Sequence, residues 1–287
     1  MLYNFKDMHV VTALLLIVLM TFIVFSTDNP LILLSIFIFC QAIFMMTGSR
    51  EKIKKGLVYF IPFAAVSIII NFLFVDEGST ILFIAFGKNF TLEALIYALI
   101  FSSKLLLIIY IFSMIELLLN NDGAVSYFSS IMPKSTLLLT ISFKLFPNLK
   151  RRINTLREVY SLRGVDFESK SIKEKAKSYT PILANLLGTS MEEAFDIGES
   201  AYVRGFLSGK RSVYQRQKAS KKDIILSLHM FIILILFIFL KFKKLDTFDI
   251  YNNFRWQVLL NYYVLLMSIA ILTLILSFYL NWRNKES

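Results

Sequence analysis

Two short runs carry side chains able to grip another molecule. Tyr160-Ser161-Leu162-Arg163-Gly164-Val165-Asp166-Phe167 is one, and Ala201-Tyr202-Val203-Arg204-Gly205-Phe206 is the other. Each closes an amphipathic, helix-like stretch on Arg-Gly. A guanidinium is a planar fork of N–H donors and binds a carboxylate through two parallel bonds, which an ammonium cannot do. A helix end also leaves carbonyls unpaired and carries partial negative charge, so arginine is favoured in the last turn and glycine supplies the left-handed cap. One such ending is an ordinary helix stop. Two of them, each ending an apolar stripe and each followed by a residue that can fold back (Val165 or Phe206), read as a pair of prongs. The prongs are Arg163 with Gly164 and Arg204 with Gly205, aimed at acidic pockets of a partner protein.

Two long helices must carry them. Ser135 to Leu162 is a helical stretch with Pro147 inside it, where a kink or break is expected. Beyond the proline, Ile153, Leu156 and Tyr160 recur at helical steps and Arg163 comes three later. Lys170 to Lys177 reads as a solvated basic linker, and Pro181 suits a helix start. From there Leu183, Leu187, Ser190, Ala194, Ile197 and Ala201 form a stripe that Arg204 continues. Ala184 with Gly188, and Ala194 with Gly198, are small residues one turn apart. That spacing lets helices approach closely, so the two long helices are expected to cross there, near the membrane surface.

A membrane surface is implied by composition. Hydrophobic residues make up 56% of the 287 residues, more apolar surface than a soluble domain of this length can use. Spans of the bilayer need about 20 mostly apolar residues. Met8–Phe25, Leu31–Met46, Gly56–Val75, Thr91–Leu119, Ile224–Leu240 and Trp256–Leu280 are six such stretches. The first two make a hairpin joined by the Thr27-Asp28-Asn29-Pro30 turn. Ile81 to Phe86 is too short to cross and reads as a re-entrant or interfacial piece. Ala124 to Met132 is a short amphipathic piece ended by Pro133. Trp256 and Trp282 are placed as interfacial anchors. The first apolar run has no Ala-x-Ala-like site after it and reads as retained, not as a signal peptide.

The formal charge of +11 suits cytoplasmic Lys and Arg beside anionic lipid, and no nucleic-acid module is recognisable. The 50–55 loop and the central region are basic, whereas the Asp28 and Asp76-Glu77 turns are not. Both termini and the central region therefore fall in the cytoplasm. Lys241, Lys243 and Lys244 oppose that rule, so the last two crossings are the least determined. The expected fold is all-α and polytopic. Residues 1–122 hold four membrane helices, 123–222 two or three cytoplasmic amphipathic helices, and 223–287 two more membrane helices.

Few other residues suggest chemistry. No Gly-x-x-x-x-Gly-Lys-Ser/Thr loop exists, so the chain is not expected to bind ATP in that manner. His9 and His229 have no ligand partners at metal spacing, and no metal site is expected. Cys40, the only cysteine, sits in an apolar run and reads as packing. Glu192, Glu193, Asp196 and Glu199 form an acidic face, solvated or paired with nearby bases. Lys104 lies well inside the fourth span. An intramembrane lysine is a functional candidate, and the alternative is that it meets another span's polar group or snorkels.

At these residues the chain resembles the transmembrane T-component of energy-coupling factor transporters, the family that includes the cobalt-transport permease subunits. The likeness runs from about Lys104 to Arg211 and is weaker outside it. Pro133, the Pro147 segment and the two Arg-Gly endings fall in the expected order and spacing. The family usually has Ala-Arg-Gly at both endings, where this chain has Leu162 and Val203 before the arginines. The resemblance implies a non-catalytic scaffold in the bacterial cell membrane, with no cofactor of its own. It implies as partners two cytoplasmic ABC-type ATPase subunits, which bind the ATP, and a membrane subunit that binds a vitamin or metal ion. Arg163 and Arg204 are then the ATPase-docking residues. The alternative is a secondary transporter or channel subunit, which should show paired mid-membrane polar residues and often an internal repeat. Only Asn71, Lys104 and Glu116 stand out, and no repeat is visible. A membrane enzyme acting on lipid would need a nucleophile with a base, or a metal constellation, and none is found.

Overall fold

A computed structural model describes residues 8–74, 80–85, 88–168, 171–206, 209, 219–245 and 261–283. In order they form α1 (Val10–Ser26), α2 (Pro30–Met46), α3 (Arg50–Phe74), strands β1 (Ile81–Ala85) and β2 (Lys88–Thr91), α4 (Leu92–Leu118), α5 (Asn121–Ile131), α6 (Pro133–Leu162), α7 (Ile172–Val203), α8 (Lys221–Phe242) and α9 (Tyr262–Arg283). The architecture is that of an all-α polytopic membrane protein. Four of these helices are long and apolar enough to cross a bilayer, and α1 and α2 are shorter apolar helices of 17 residues each. The chain divides into two compact units, one of residues 1–124 with 217–287 and one of residues 125–216.

In the first unit α4 is the axis. It packs along α3 and also against α1 and α2, while α9 lies on α2 and α8. These helices bury some side chains and leave many large apolar ones exposed, as expected where lipid is the solvent. Phe39 of α2 meets Phe278 of α9 edge-on at 5.9 Å, and Phe44 meets Tyr110 of α4 at 5.4 Å. In membranes helix association depends on close packing and interhelical hydrogen bonds. Gly56 provides the first, because its missing Cβ leaves room for the Tyr110 ring. The Tyr110 hydroxyl provides the second, donating to the Ile53 carbonyl at 3.0 Å.

Helix starts follow their capping residues. Asn29 caps α2 through Leu31 N–H, with Pro30 at the first helical position. Ser220 and Asp223 form a reciprocal capping box at α8. The Asp223 carboxylate also accepts the His9 backbone N–H at 3.1 Å, which ties the start of α1 to the start of α8.

Several expectations are corrected. The basic segment from Arg50 is the first turn of α3, not a loop before it. The piece at Ile81 is a strand paired antiparallel with β2. Thr80 N–H donates to the buried Glu93 carboxylate at 3.1 Å, which holds this hairpin to the start of α4. Of the kink or break expected at Pro147, the break does not occur, and α6 is one continuous helix there. Helix α7 starts at Ile172, nine residues before Pro181, with Glu174 in its first turn. The segment before the proline is held by tertiary contacts. Tyr179 packs edge-on against Phe167 at 5.1 Å, and the Ser178 hydroxyl donates to the Asp166 carbonyl. These offset the hydrogen bond that proline cannot donate. The first residues of the expected sixth span, with Trp256, lie outside the described residues, as do Asp76 and Glu77.

Candidate functional site

The site of interest is the second unit, a pair of long helices whose ends carry the two Arg-Gly runs. Arg163 is the C-cap of α6 and Arg204 the C-cap of α7. Gly164 follows at φ 86° and Gly205 at φ 68°. Both ends use the same pair of hydrogen bonds. Gly164 N–H donates to Ser161 O at 3.0 Å and Val165 N–H to Tyr160 O at 3.1 Å. Gly205 N–H donates to Tyr202 O at 2.9 Å and Phe206 N–H to Ala201 O at 3.0 Å. This Schellman arrangement satisfies the last carbonyls and turns the chain sharply away, which leaves the arginine at the tip.

The motif alone does not mark a docking point. Gly48 after α2 and Lys244 after α8 close their helices the same way. What sets the two tips apart is the residue at the cap, an arginine at both, where α2 has Thr47 and α8 has Lys243. Arg163 and Arg204 are exposed, and each stands beside exposed apolar side chains. Leu162 is 89% exposed, Tyr202 85% and Val203 77%. A long cation framed by unpartnered apolar groups fits a docking surface better than a solvated helix stop.

The first tip is anchored. Phe167, Ile182 and Leu186 form a small buried cluster, against which Leu149, Ile153, Leu156, Tyr160 and Val165 pack. This cluster is where α6 and α7 meet. The small residues expected at the crossing lie elsewhere. Ala184, Gly188, Ala194 and Gly198 are all exposed, and a Cβ added at Gly188 or Gly198 would meet nothing within 4 Å. Leu183 and Leu187 of the α7 stripe are exposed as well. Side-chain volume decides this: branched residues one turn apart, Ile182 and Leu186, bury more apolar area than glycine and alanine can. An Arg152–Glu193 ion pair joins the helices further along, beside an open groove of about 480 Å3 lined partly by Thr155, Asn185 and Thr189. Glu193 of the acidic face is thus paired.

Leu138, Phe143 and Phe146 of α6, with Leu187, Met191 and Phe195 of α7, are large apolar side chains left exposed in the same unit. Of these, the sequence pattern singles out only Leu187, as a member of the α7 stripe. Tyr160 was also read only as part of such a stripe, yet its ring lies under the Arg163 guanidinium at 5.5 Å.

In the first unit Lys104 pairs with Asp28, Nζ to Oδ1 at 2.6 Å. Glu116 pairs with Lys52 at 2.7 Å, and Lys52 also donates to the Ser113 carbonyl. His9 caps α1 by accepting Val11 N–H, and His229 Nε2 lies 3.1 Å from the Thr273 hydroxyl.

Comparison with known proteins bears on most of the chain. A family model described as Cobalt transport protein matches residues 5–215. The energy-coupling factor transporter transmembrane protein EcfT of Bacillus subtilis (strain 168) is 23% identical over 242 residues, covering 80% of this chain and 91% of that protein. The protein of the same name from Lactobacillus helveticus is 25% identical over 236 residues, covering 77% and 84%. That of Lactococcus lactis subsp. cremoris is 31% identical over 103 residues, covering 36% and 39%.

Proposed function

Because this chain belongs to the cobalt transport protein family, the transmembrane T-components of energy-coupling factor transporters, we propose that it couples two cytoplasmic ABC-type ATPases to a separate substrate-binding membrane subunit. Each ATPase takes one helix tip. Arg163 enters one acidic pocket and Arg204 the other, and closure of the ATPases on ATP moves α6 and α7. The apolar surface of Phe143, Phe146, Leu187 and Phe195 is the contact for the substrate-binding subunit, which tilts when the helices move and releases a vitamin or metal ion inward. Both termini and the two tips then face the cytoplasm of a bacterial cell. The chain acts as a scaffold, with catalysis supplied in trans.

One observation carries this reading: two long helices end in the same cap, with an exposed arginine beside exposed apolar residues at both. A carrier would draw on mid-membrane polar groups free to bind cargo. Lys104 and Glu116 instead serve in ion pairs with Asp28 and Lys52, which favours the scaffold.

The test is purification of the chain together with the products of neighbouring genes. Two ATPase chains are expected to accompany it. The double variant Arg163→Glu, Arg204→Glu is expected to lose both while keeping its thermal stability. Retention of both ATPases by a folded double variant would refute the assignment.

A further inference from the structure

The two tips share a backbone but differ one turn back from the arginine. Three residues before Arg163 stands Tyr160, and three before Arg204 stands Ala201. The Arg163 guanidinium carbon lies 5.5 Å from the centre of the Tyr160 ring, within the range of cation–π attraction. Among the described residues no ring lies under Arg204.

Tyr160 is itself fixed. Its ring packs against the Phe167, Ile182 and Leu186 cluster, and its carbonyl accepts the N–H groups of both Arg163 and Val165 at 3.1 Å. The cluster is further held by the Phe167–Tyr179 ring contact and by Arg157, whose guanidinium lies 5.8 Å from the Phe167 ring centre. One residue thus sets the turn that aims Arg163 and provides the surface on which its head rests.

A guanidinium can stack face-on over a ring and still present its N–H edge to a carboxylate. An ammonium lacks that division of faces. A free arginine loses several rotors on docking, and each immobilised long side chain opposes binding. A ring that already holds the planar head reduces this loss.

We propose that Tyr160 is a positioning residue for docking through Arg163: its ring pre-orients the guanidinium so that the first tip meets its ATPase with the arginine already placed. This rests on the ATPase-docking reading above and adds to it an inequality between the tips. Arg163 is preset by a ring, whereas the matching position before Arg204 is Ala201, and among the described residues no ring meets Arg204.

The test uses the full chain in nanodiscs and the ATPase chains that co-purify with it, with binding read by titration. Tyr160→Leu is expected to weaken binding about two- to fivefold, the range of an exposed cation–π contact. Tyr160→Phe, which keeps the ring, should bind as the parent does. In an Arg163→Ala background Tyr160→Leu should bring no further loss, and in an Arg204→Ala background its effect should persist. Because leucine also alters the cluster, pentafluorophenylalanine installed at position 160 is the second variant. It keeps ring shape and reverses the electrostatics of the face, so it should lose the same two- to fivefold relative to Tyr160→Phe.

Parent-like binding by the fluorinated protein, or an equal loss from Tyr160→Leu with and without Arg163, overturns the proposal. If Arg163→Ala itself leaves binding unchanged, the docking reading has failed at this tip and the positioning proposal falls with it. The two failures are therefore told apart by the Arg163 variant alone.

Discussion

Lys104 Nζ lies 2.6 Å from Asp28 Oδ1, so the charge midway along α4 is answered from the turn between α1 and α2. The side chains are unequal in exposure, 16% for Lys104 and 57% for Asp28. Asp28→Leu leaves an enclosed lysine without its partner, whereas Lys104→Met leaves a carboxylate already open to its surroundings. Asp28→Leu is expected to cost about 2–3 kcal/mol, the scale of an unpaired charge within a membrane helix, and Lys104→Met less. The double variant should recover part of the loss. Thermal unfolding in detergent, followed for all three, reads the order directly.

Gly56 of α3 lies against the Tyr110 ring of α4. A Cβ at position 56 would lie 2.1 Å from Tyr110 Cε1. The ring cannot swing aside easily, because Tyr110 is fully buried and its hydroxyl is bound to Ile53. Gly56→Ala should therefore destabilise by about 1–3 kcal/mol, the usual range for overpacking. Adding Tyr110→Leu should remove the clash and restore part of that stability. A Gly56→Ala protein as stable as the parent would contradict the helix contact.

The caps permit a cleaner separation of strain from contact. Position 164 has φ 86° and open space around an added Cβ, so Gly164→Ala meets only the backbone penalty. That penalty is about 1–2 kcal/mol. Gly164→Asn should be tolerated better than Gly164→Ala, since asparagine adopts left-handed conformations more readily. Both variants keep Arg163, so ATPase binding should fall with the cap strain and be weaker for alanine than for asparagine.

Where the long helices cross can be measured by truncation. Leu186→Ala removes a buried member of the Phe167 cluster and should cost about 2–5 kcal/mol. Glu193→Ala removes a partly exposed ion pair with Arg152 and should cost no more than about 1 kcal/mol. Gly198→Ala, at an open position, should be neutral or mildly stabilising through helix propensity. Hydrogen exchange of α6 and α7 reads these differences within the second unit. The opposite order would put the crossing back on the small residues.

These cases also show what could be read from residues alone. The Arg-Gly ends were legible because a helix cap is local: the residue types that satisfy the last carbonyls sit within five positions of one another. The apolar helices were legible because lipid imposes length and composition on each segment separately. Ala184 and Gly188 misled because small residues permit close approach without requiring it, and the branched Ile182 and Leu186 took the contact. Pro181 misled for a related reason. Its local preference for a helix start yielded to Tyr179 and Ser178, which reach across to Phe167 and to the Asp166 carbonyl. Asp28 looked like a turn residue because its partner lies 76 positions away, and pattern in one segment carries no record of such a pairing.

The central claim is that each arginine tip holds one ATPase. Native mass spectrometry of the purified complex counts the ATPase chains on each molecule of this protein. The parent should carry two, each of the single variants Arg163→Glu and Arg204→Glu should lose occupancy at its own tip, and the double variant should carry none. Two ATPase chains on a folded double variant would contradict the account.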